Sequence, residues 1–260
     1  MEYLVVCLAA LLVSGLTLFS GFGLGTVLMP AFALFFPVPV AIAATAVVHL
    51  ANNAFKVFLV GRKADWGVVA RFAAPGAVAA LLGAALLSFF TRMPLLHAYQ
   101  ISGRTYEITI VKAVIGVLIV GFALLELLPR FRQMAFDRKL LPLGGLVSGF
   151  FGGLSGNQGA LRSAFLIKTG LGKEAFIGTG TVSAVIVDAA RMIVYGFSFY
   201  TSKFADLRGI WGLVLAATLA AFVGSFMGAR LLKKITLDVI QVIVGILLVI
   251  VGTGIAAGLL

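Results

Sequence analysis

Lys56, Arg162, Asp188 and Arg191 are ionisable side chains that stand inside stretches of otherwise apolar sequence. Around Lys56, the residues Thr45, His49, Asn52 and Asn53 recur at helical spacing, which puts all five on one face of a helix. Thr181, Asp188 and Arg191 share a face in the same way, and Asn157, Gln158 and Arg162 lie in and just after a glycine-rich break. Three cations against one carboxylate make a net positive, hydrogen-bond-rich pocket, which suits an anion. An arginine presents a planar fork able to bind two oxygens of a sulfonate or carboxylate at once. Asn157, Gln158, Asn52 and Asn53 would satisfy the remaining oxygens, and a half-helix starting near Gly159 would aim its first backbone N–H groups at the same place. Asp188 is the candidate proton carrier. A bland alternative stays open beside it, in which Asp188 neutralises Arg191 or pairs with Lys56. His49 is read as a hydrogen-bonded packing residue first, and is a secondary candidate together with Thr45 and Thr181.

Other chemistries have little to work with. A single cysteine, Cys7, excludes an intramolecular disulfide and a thiolate cluster, and two histidines, His49 and His97, are too few for a histidine metal site. No cofactor, no metal and no nucleotide-binding loop is expected. An enzyme is not expected either, because the pocket lacks a nucleophile–base pair; Ser155 and Ser163 read as helix-break and packing residues.

These groups must be held by membrane helices. Of 260 residues, 62% are hydrophobic and only 11% charged, and the mean hydropathy is +1.15. A soluble domain carries roughly 25% charged residues. Too few polar side chains exist to face water, which excludes a soluble enzyme and a nucleic-acid-binding protein despite a net charge of +11. Met1-Glu2 lacks the basic flank of a signal peptide. A crossing helix needs about 20 mostly apolar residues, and the stretches 38–60, 66–90, 108–128, 173–196, 207–232 and 237–258 qualify. Trp66 and Trp211 fall at span starts as interfacial anchors. Lys112, Glu126, Arg71 and Arg230 lie near span ends and are expected to snorkel to the interface. The phenylalanines read as lipid-facing bulk. The longest polar interval, about Thr91 to Glu107, has the size of one loop, so the chain reads as one membrane domain, 1–260.

Two further apolar segments are interrupted, 3–36 by Ser20-Gly21-Phe22-Gly23-Leu24-Gly25 and 140–171 by Gly152-Gly153-Leu154-Ser155-Gly156-Asn157-Gln158-Gly159. They occupy corresponding places in two halves, 1–130 and 131–260. Ser14-Gly15 aligns with Ser148-Gly149, Gly25 with Gly159, Asn53 with Asp188, Lys56 with Arg191, Asp65 with Asp206, Gly83 with Gly224 and Gly116 with Gly245. Paired glycine-broken segments in two halves point to a transporter binding site; the later glycines read as helix-packing positions. If both broken segments cross, the basic residues of the connections divide eight to six between the faces. If both re-enter as helical hairpins, ten (Arg62, Lys63, Arg130, Arg132, Arg138, Lys139, Lys168, Lys173, Lys233, Lys234) collect on one face against Arg92, Arg104, Lys203 and Arg208 on the other. The positive-inside rule favours the second arrangement. Each half is then a hairpin plus three spans, the halves are inverted, and both termini lie outside.

Gly21-Phe22-Gly23-Leu24-Gly25 with Pro30, the second break with Arg162-Ser163, the Arg62-to-Trp66 turn, Lys173-Glu174-Ala175-Phe176 and Val187-Asp188-Ala189-Ala190-Arg191 together resemble the TauE/SafE family of sulfite-exporter-type permeases, over essentially the whole chain. Ala164 stands where the second copy of the family pattern often has proline. The resemblance implies movement of sulfite, organosulfonates or related organic acids across the bacterial inner membrane. The reading from sequence is therefore an all-α, multi-pass secondary transporter of a small anion, with proton coupling open. Its expected partners are that anion and membrane lipid, with no nucleic acid; a homodimer through glycine-rich faces is left open. The rival readings are a passive anion channel and a membrane assembly subunit with no substrate.

Overall fold

Asp65 illustrates how the chain starts its helices. Its carboxylate accepts the Val68 backbone N–H at 3.0 Å and so satisfies one of the donors a helix start leaves over. Thr109 does the same for Lys112. In a computed structural model, which describes residues 1–20, 24–132, 134–200, 208–231 and 238–260, such starts open a chain that is helical almost throughout. The helices are α1 (Glu2–Ser20), α2 (Leu24–Ala33), α3 (Val38–Val60), α4 (Trp66–Phe90), α5 (Ile110–Leu127), the short α6 (Pro129–Arg132), α7 (Leu141–Ser155), α8 (Gly159–Leu166), α9 (Lys173–Tyr200), α10 (Trp211–Leu231) and α11 (Asp238–Ala256). Among the described residues, five helices are long and apolar enough to cross a membrane, at 38–63, 66–90, 110–127, 173–197 and 211–228. They match five of the expected spans; the sixth is the apolar α11. Leu82, Leu215 and Ile250 each leave 62% of their surface exposed, as residues facing lipid do. The chain is an all-α polytopic membrane protein. Gly21–Gly23, Lys203, Asp206, Lys233 and Lys234, which entered the break, repeat and charge readings, lie outside the described residues.

Close helix pairs carry the packing. α4 lies on α7, α1 on α10, α5 on α11, and α3 on α9. Gly83 leaves the Phe150 carbonyl the space that a Cβ would take, and Gly224 leaves the same space to the Leu11 carbonyl. Gly116 meets Gly252 and Ala256, and Gly245 meets Leu127. These are the packing roles expected of those glycines.

The second break turns the chain back. Phe165 near the end of α8 lies against Gly144 near the start of α7. The Phe165 ring stacks on Phe136 at 4.2 Å, and the Phe136 N–H donates to the Ala164 carbonyl at 3.1 Å. α7 and α8 thus form a hairpin whose tip is residues 156–158.

Three expectations need correction. The polar interval is not a plain loop but an antiparallel β-hairpin, β1 (Leu95–Ile101) and β2 (Arg104–Thr109), closed by Ser102 and Gly103, both at positive φ. That backbone belongs to the two-residue turn whose twist matches paired strands. Tyr99 ties the hairpin to the end of α11 by donating its hydroxyl to the Ala257 carbonyl at 2.6 Å. Glu126 does not reach an interface; it is 7% exposed. It continues the inward stripe Ile115, Ile119, Phe122 on α5, so helical periodicity turns it into the bundle. The phenylalanines divide between lipid (Phe58, Phe197) and core (Phe32, Phe72).

Candidate functional site

Asp188 lies near the middle of α9 and has no exposed surface. A buried carboxylate needs a counter-charge and filled lone pairs, and it finds both. Arg191, one turn along the same helix, places Nη2 at 2.9 Å and Nε at 3.0 Å from Oδ1. Gln158, at the tip of the α7–α8 hairpin, donates Nε2–H to Oδ1 at 3.1 Å. From α3, His49 Nδ1 stands 2.6 Å from Oδ2 and Asn53 Nδ2 donates to the same oxygen at 3.0 Å. His49 and Asn53 are four residues apart, so one face of α3 supplies both.

The same stretch of α9 fastens the hairpin tip. Arg191 Nη1 donates to the Gly152 carbonyl at 3.3 Å, and the Tyr195 hydroxyl donates to the Gly153 carbonyl at 2.5 Å. Ser148 Oγ donates across the hairpin to the Gln158 carbonyl at 3.1 Å. Gly156 closes α7 at φ +82°, a left-handed conformation that costs a side chain strain, and a Cβ there would come 3.1 Å from Arg191 Nη1. The first break arrives at the same point. A Cβ on Gly25, in the first turn of α2, would fall 2.9 Å from the Gly156 carbonyl and 3.9 Å from His49 Cδ2.

Some buried polar atoms around this knot have no hydrogen-bond partner among the described residues. The donors are Arg162 Nη1, Asn157 Nδ2 and Asn52 Nδ2; oxygens in the same position are Gln158 Oε1, Thr45 Oγ1 and Ser183 Oγ. Arg191 Nη2 makes its close ion-pair contact to Asp188 without a well-aligned hydrogen bond. Arg162 sits in the second turn of α8, and its Nε would be 3.6 Å from a Cβ on Gly180, so that glycine leaves it room against α9. Lys56, His49 and Asp188 lie in the neighbourhood of Arg162. Lys56 is buried on α3.

The fold therefore brings His49, Asn53, Gln158, Asp188 and Arg191 into direct contact, with Lys56 and Arg162 as charged neighbours. Asn52 turns to α10 and accepts the Ser225 hydroxyl at 2.8 Å, and Thr181 spends its hydroxyl on the Ile177 carbonyl of its own helix. Asp188 pairs with Arg191 as one reading allowed, and its partner across the halves is His49. Sequence reasoning passed over Tyr195, Ser183 and Ser225. Tyr195 carried a usable signal, since it follows Asp188 by seven residues and Arg191 by four on one helical face. Ser225 on α10 carried none. Among the described residues, no group of three or more His, Cys, Asp or Glu could hold a metal ion.

Comparison with known proteins gives one result. The family model described as Sulfite exporter TauE/SafE matches residues 6–255. No curated protein and no solved structure matches. The match takes in both helix breaks, the α3 and α9 faces and every residue of the buried network, and with it the chain belongs to the sulfite exporter TauE/SafE family of membrane transporters.

Proposed function

We propose that the protein is a secondary transporter that moves a small oxyanion, such as sulfite, an organosulfonate or a related organic acid, across the bacterial inner membrane. The observation that carries this reading is the surplus of buried donors at the hairpin tip. Arg162 and Arg191 stand near one carboxylate there, and Arg162 Nη1 and Asn157 Nδ2 have no hydrogen-bond partner among the described residues. Leaving a buried donor unpaired costs about 1–3 kcal/mol, more for a charged one. An oxyanion would recover that cost and offset the excess charge. Arg162 and Asn157 bind it in this proposal, with Lys56 supplying further charge and the first turn of α8 offering backbone N–H groups. Arg191 acts differently from the simplest reading of its type, since Asp188 and Gly152 already occupy it. It holds the tip in shape.

The helix pairing supports an inverted two-fold arrangement of halves 1–130 and 131–260. α4 on α7 has its counterpart in α10 on α1, while α3 on α9 and α5 on α11 pair each helix with its own equivalent. The return of α8 to the start of α7 supports a re-entrant hairpin with both termini outside the cell. Alternating access would then rock one half against the other around a fixed site.

Uptake of labelled sulfite, sulfoacetate and a carboxylate control into proteoliposomes, with and without a pH gradient, tests the reading. The expected result is saturable sulfur-oxyanion uptake that falls at least about tenfold in Arg162→Ala, as loss of a charged hydrogen bond worth roughly 1.5–3 kcal/mol predicts. Trans-stimulation by unlabelled substrate would mark a carrier rather than a channel. Absence of uptake by correctly folded protein would overturn it.

A further inference from the structure

Asp188 is poorly placed to carry a mobile proton. Its two oxygens already receive His49, Asn53, Gln158 and Arg191. A proton on either oxygen would push a donor aside and strip Arg191 of its counter-charge. The neighbouring imidazole has the opposite character. Nδ1 stands 2.6 Å from Asp188 Oδ2, so Nδ1 is the nitrogen that carries hydrogen, and Nε2 is left as the basic one. Asn53 does not quench it, because its amide donates to Asp188 at 3.0 Å and stands 3.5 Å from Nε2. The imidazole edge that bears Cδ2 and Nε2 is the one that approaches Gly25 at the first helix break.

Building on the proposed anion site, we propose that His49 carries the coupled proton on Nε2, so that anion and proton occupy the knot between the two helix breaks together. The ionisable groups around His49 fix the direction of coupling. α9 brings Asp188 and Arg191, with the Tyr195 phenol further along; α8 brings Arg162; Lys56 lies two turns along α3 itself. α2 and α7 contribute no ionisable side chain, and α10 contributes Ser225. Without an anion, Arg162 and Arg191 against Asp188 leave, among the described residues, a net positive charge that opposes a further one. An anion held by Arg162 and Asn157 cancels that charge, and a proton delivered from water can then bind Nε2 without breaking the Nδ1–Asp188 contact. Linkage makes the effect reciprocal: by the factor the anion tightens the proton, the proton tightens the anion.

The chain contains two histidines, which makes the test direct. In a His97→Gln background, whose changed residue lies on the exposed β-hairpin, nitrogen-15 NMR of the imidazole in nanodiscs reports His49 alone. Methanesulfonate and sulfate serve as probes because their charge does not change between about pH 5.5 and 8.5, the range in which histidine titrates. The expected result is a neutral ring protonated at Nδ1 without anion, and a titration midpoint raised by about one pH unit with anion bound, the tenfold coupling typical of linked sites. Calorimetry in buffers of different ionisation enthalpy should count proton uptake on anion binding in the wild type and none in His49→Gln, which keeps an amide donor for Asp188. A neutral ring protonated at Nε2, or a midpoint unmoved while calorimetry records anion binding, overturns the His49 assignment and leaves the anion site standing. Absence of binding by either probe, together with absence of sulfite binding, overturns both. If His49→Gln does not fold, the wild-type titration decides by itself.

Discussion

Asp188 holds together groups that would otherwise repel. Replacing it by asparagine keeps the shape and removes the charge, which leaves Arg191 buried without compensation. Breaking a buried pair in this way typically costs about 3–5 kcal/mol, so Asp188→Asn is expected to melt well below wild type in detergent and to lose transport. A melt unchanged from wild type would mean that Arg191 finds another counter-charge. Tyr195→Phe is a milder case. It removes only the hydroxyl that donates to Gly153, and a loss of about 1 kcal/mol is expected, visible as a small fall in melting temperature. Transport by Tyr195→Phe should decline through a higher KM, because the hairpin tip loosens while the Arg162 guanidinium remains.

The α7–α8 hairpin depends on one backbone conformation that only glycine adopts without strain. Gly156→Ala is expected to destabilise the tip by about 1–2 kcal/mol from the left-handed backbone, with crowding of Arg191 in addition. Its uptake should fall more than its melting temperature suggests, since the tip carries Asn157 and Gln158. The spans were readable from runs of apolar residues, and the breaks from clustered glycines, because both are local properties. The Asp188–Arg191 pair was readable for the same reason, being one helical turn long. The His49–Asp188 contact was not, since its partners are 139 residues apart and only the packing of α3 on α9 joins them. The β-hairpin escaped because Ser102-Gly103 is a weak turn signal inside a segment too short to judge by periodicity. Glu126 misled because proximity to a span end says nothing about which face the side chain occupies.

Both halves contribute to a single knot of charge, and the proposed topology makes a distinct prediction about where the ends of the hairpins lie. With Cys7→Ser as background, single cysteines introduced as Ser102→Cys, Asp137→Cys and Lys168→Cys can be labelled by an impermeant thiol reagent in intact cells. Position 102 is expected to react from outside, while 137 and 168 react only after permeabilisation. Labelling at 168 from outside would mean that α7 and α8 together cross the membrane, and the inverted arrangement would fall.

The partnership of α1 with α10 sets a condition on how the protein is made. Ser14 on α1 donates to the Ala221 carbonyl on α10 at 2.8 Å, and the two residues are 207 positions apart. At synthesis rates of roughly 5–20 residues per second, the first helix waits on the order of 10–40 s before the surface that accepts it has been translated. Until then the glycine-broken α1–α2 segment packs only on elements already made, of which α3 is the first. Mutations that weaken the contact of α2 with α3 are therefore expected to lower the yield of inserted protein more than they lower the stability of molecules that have already matured.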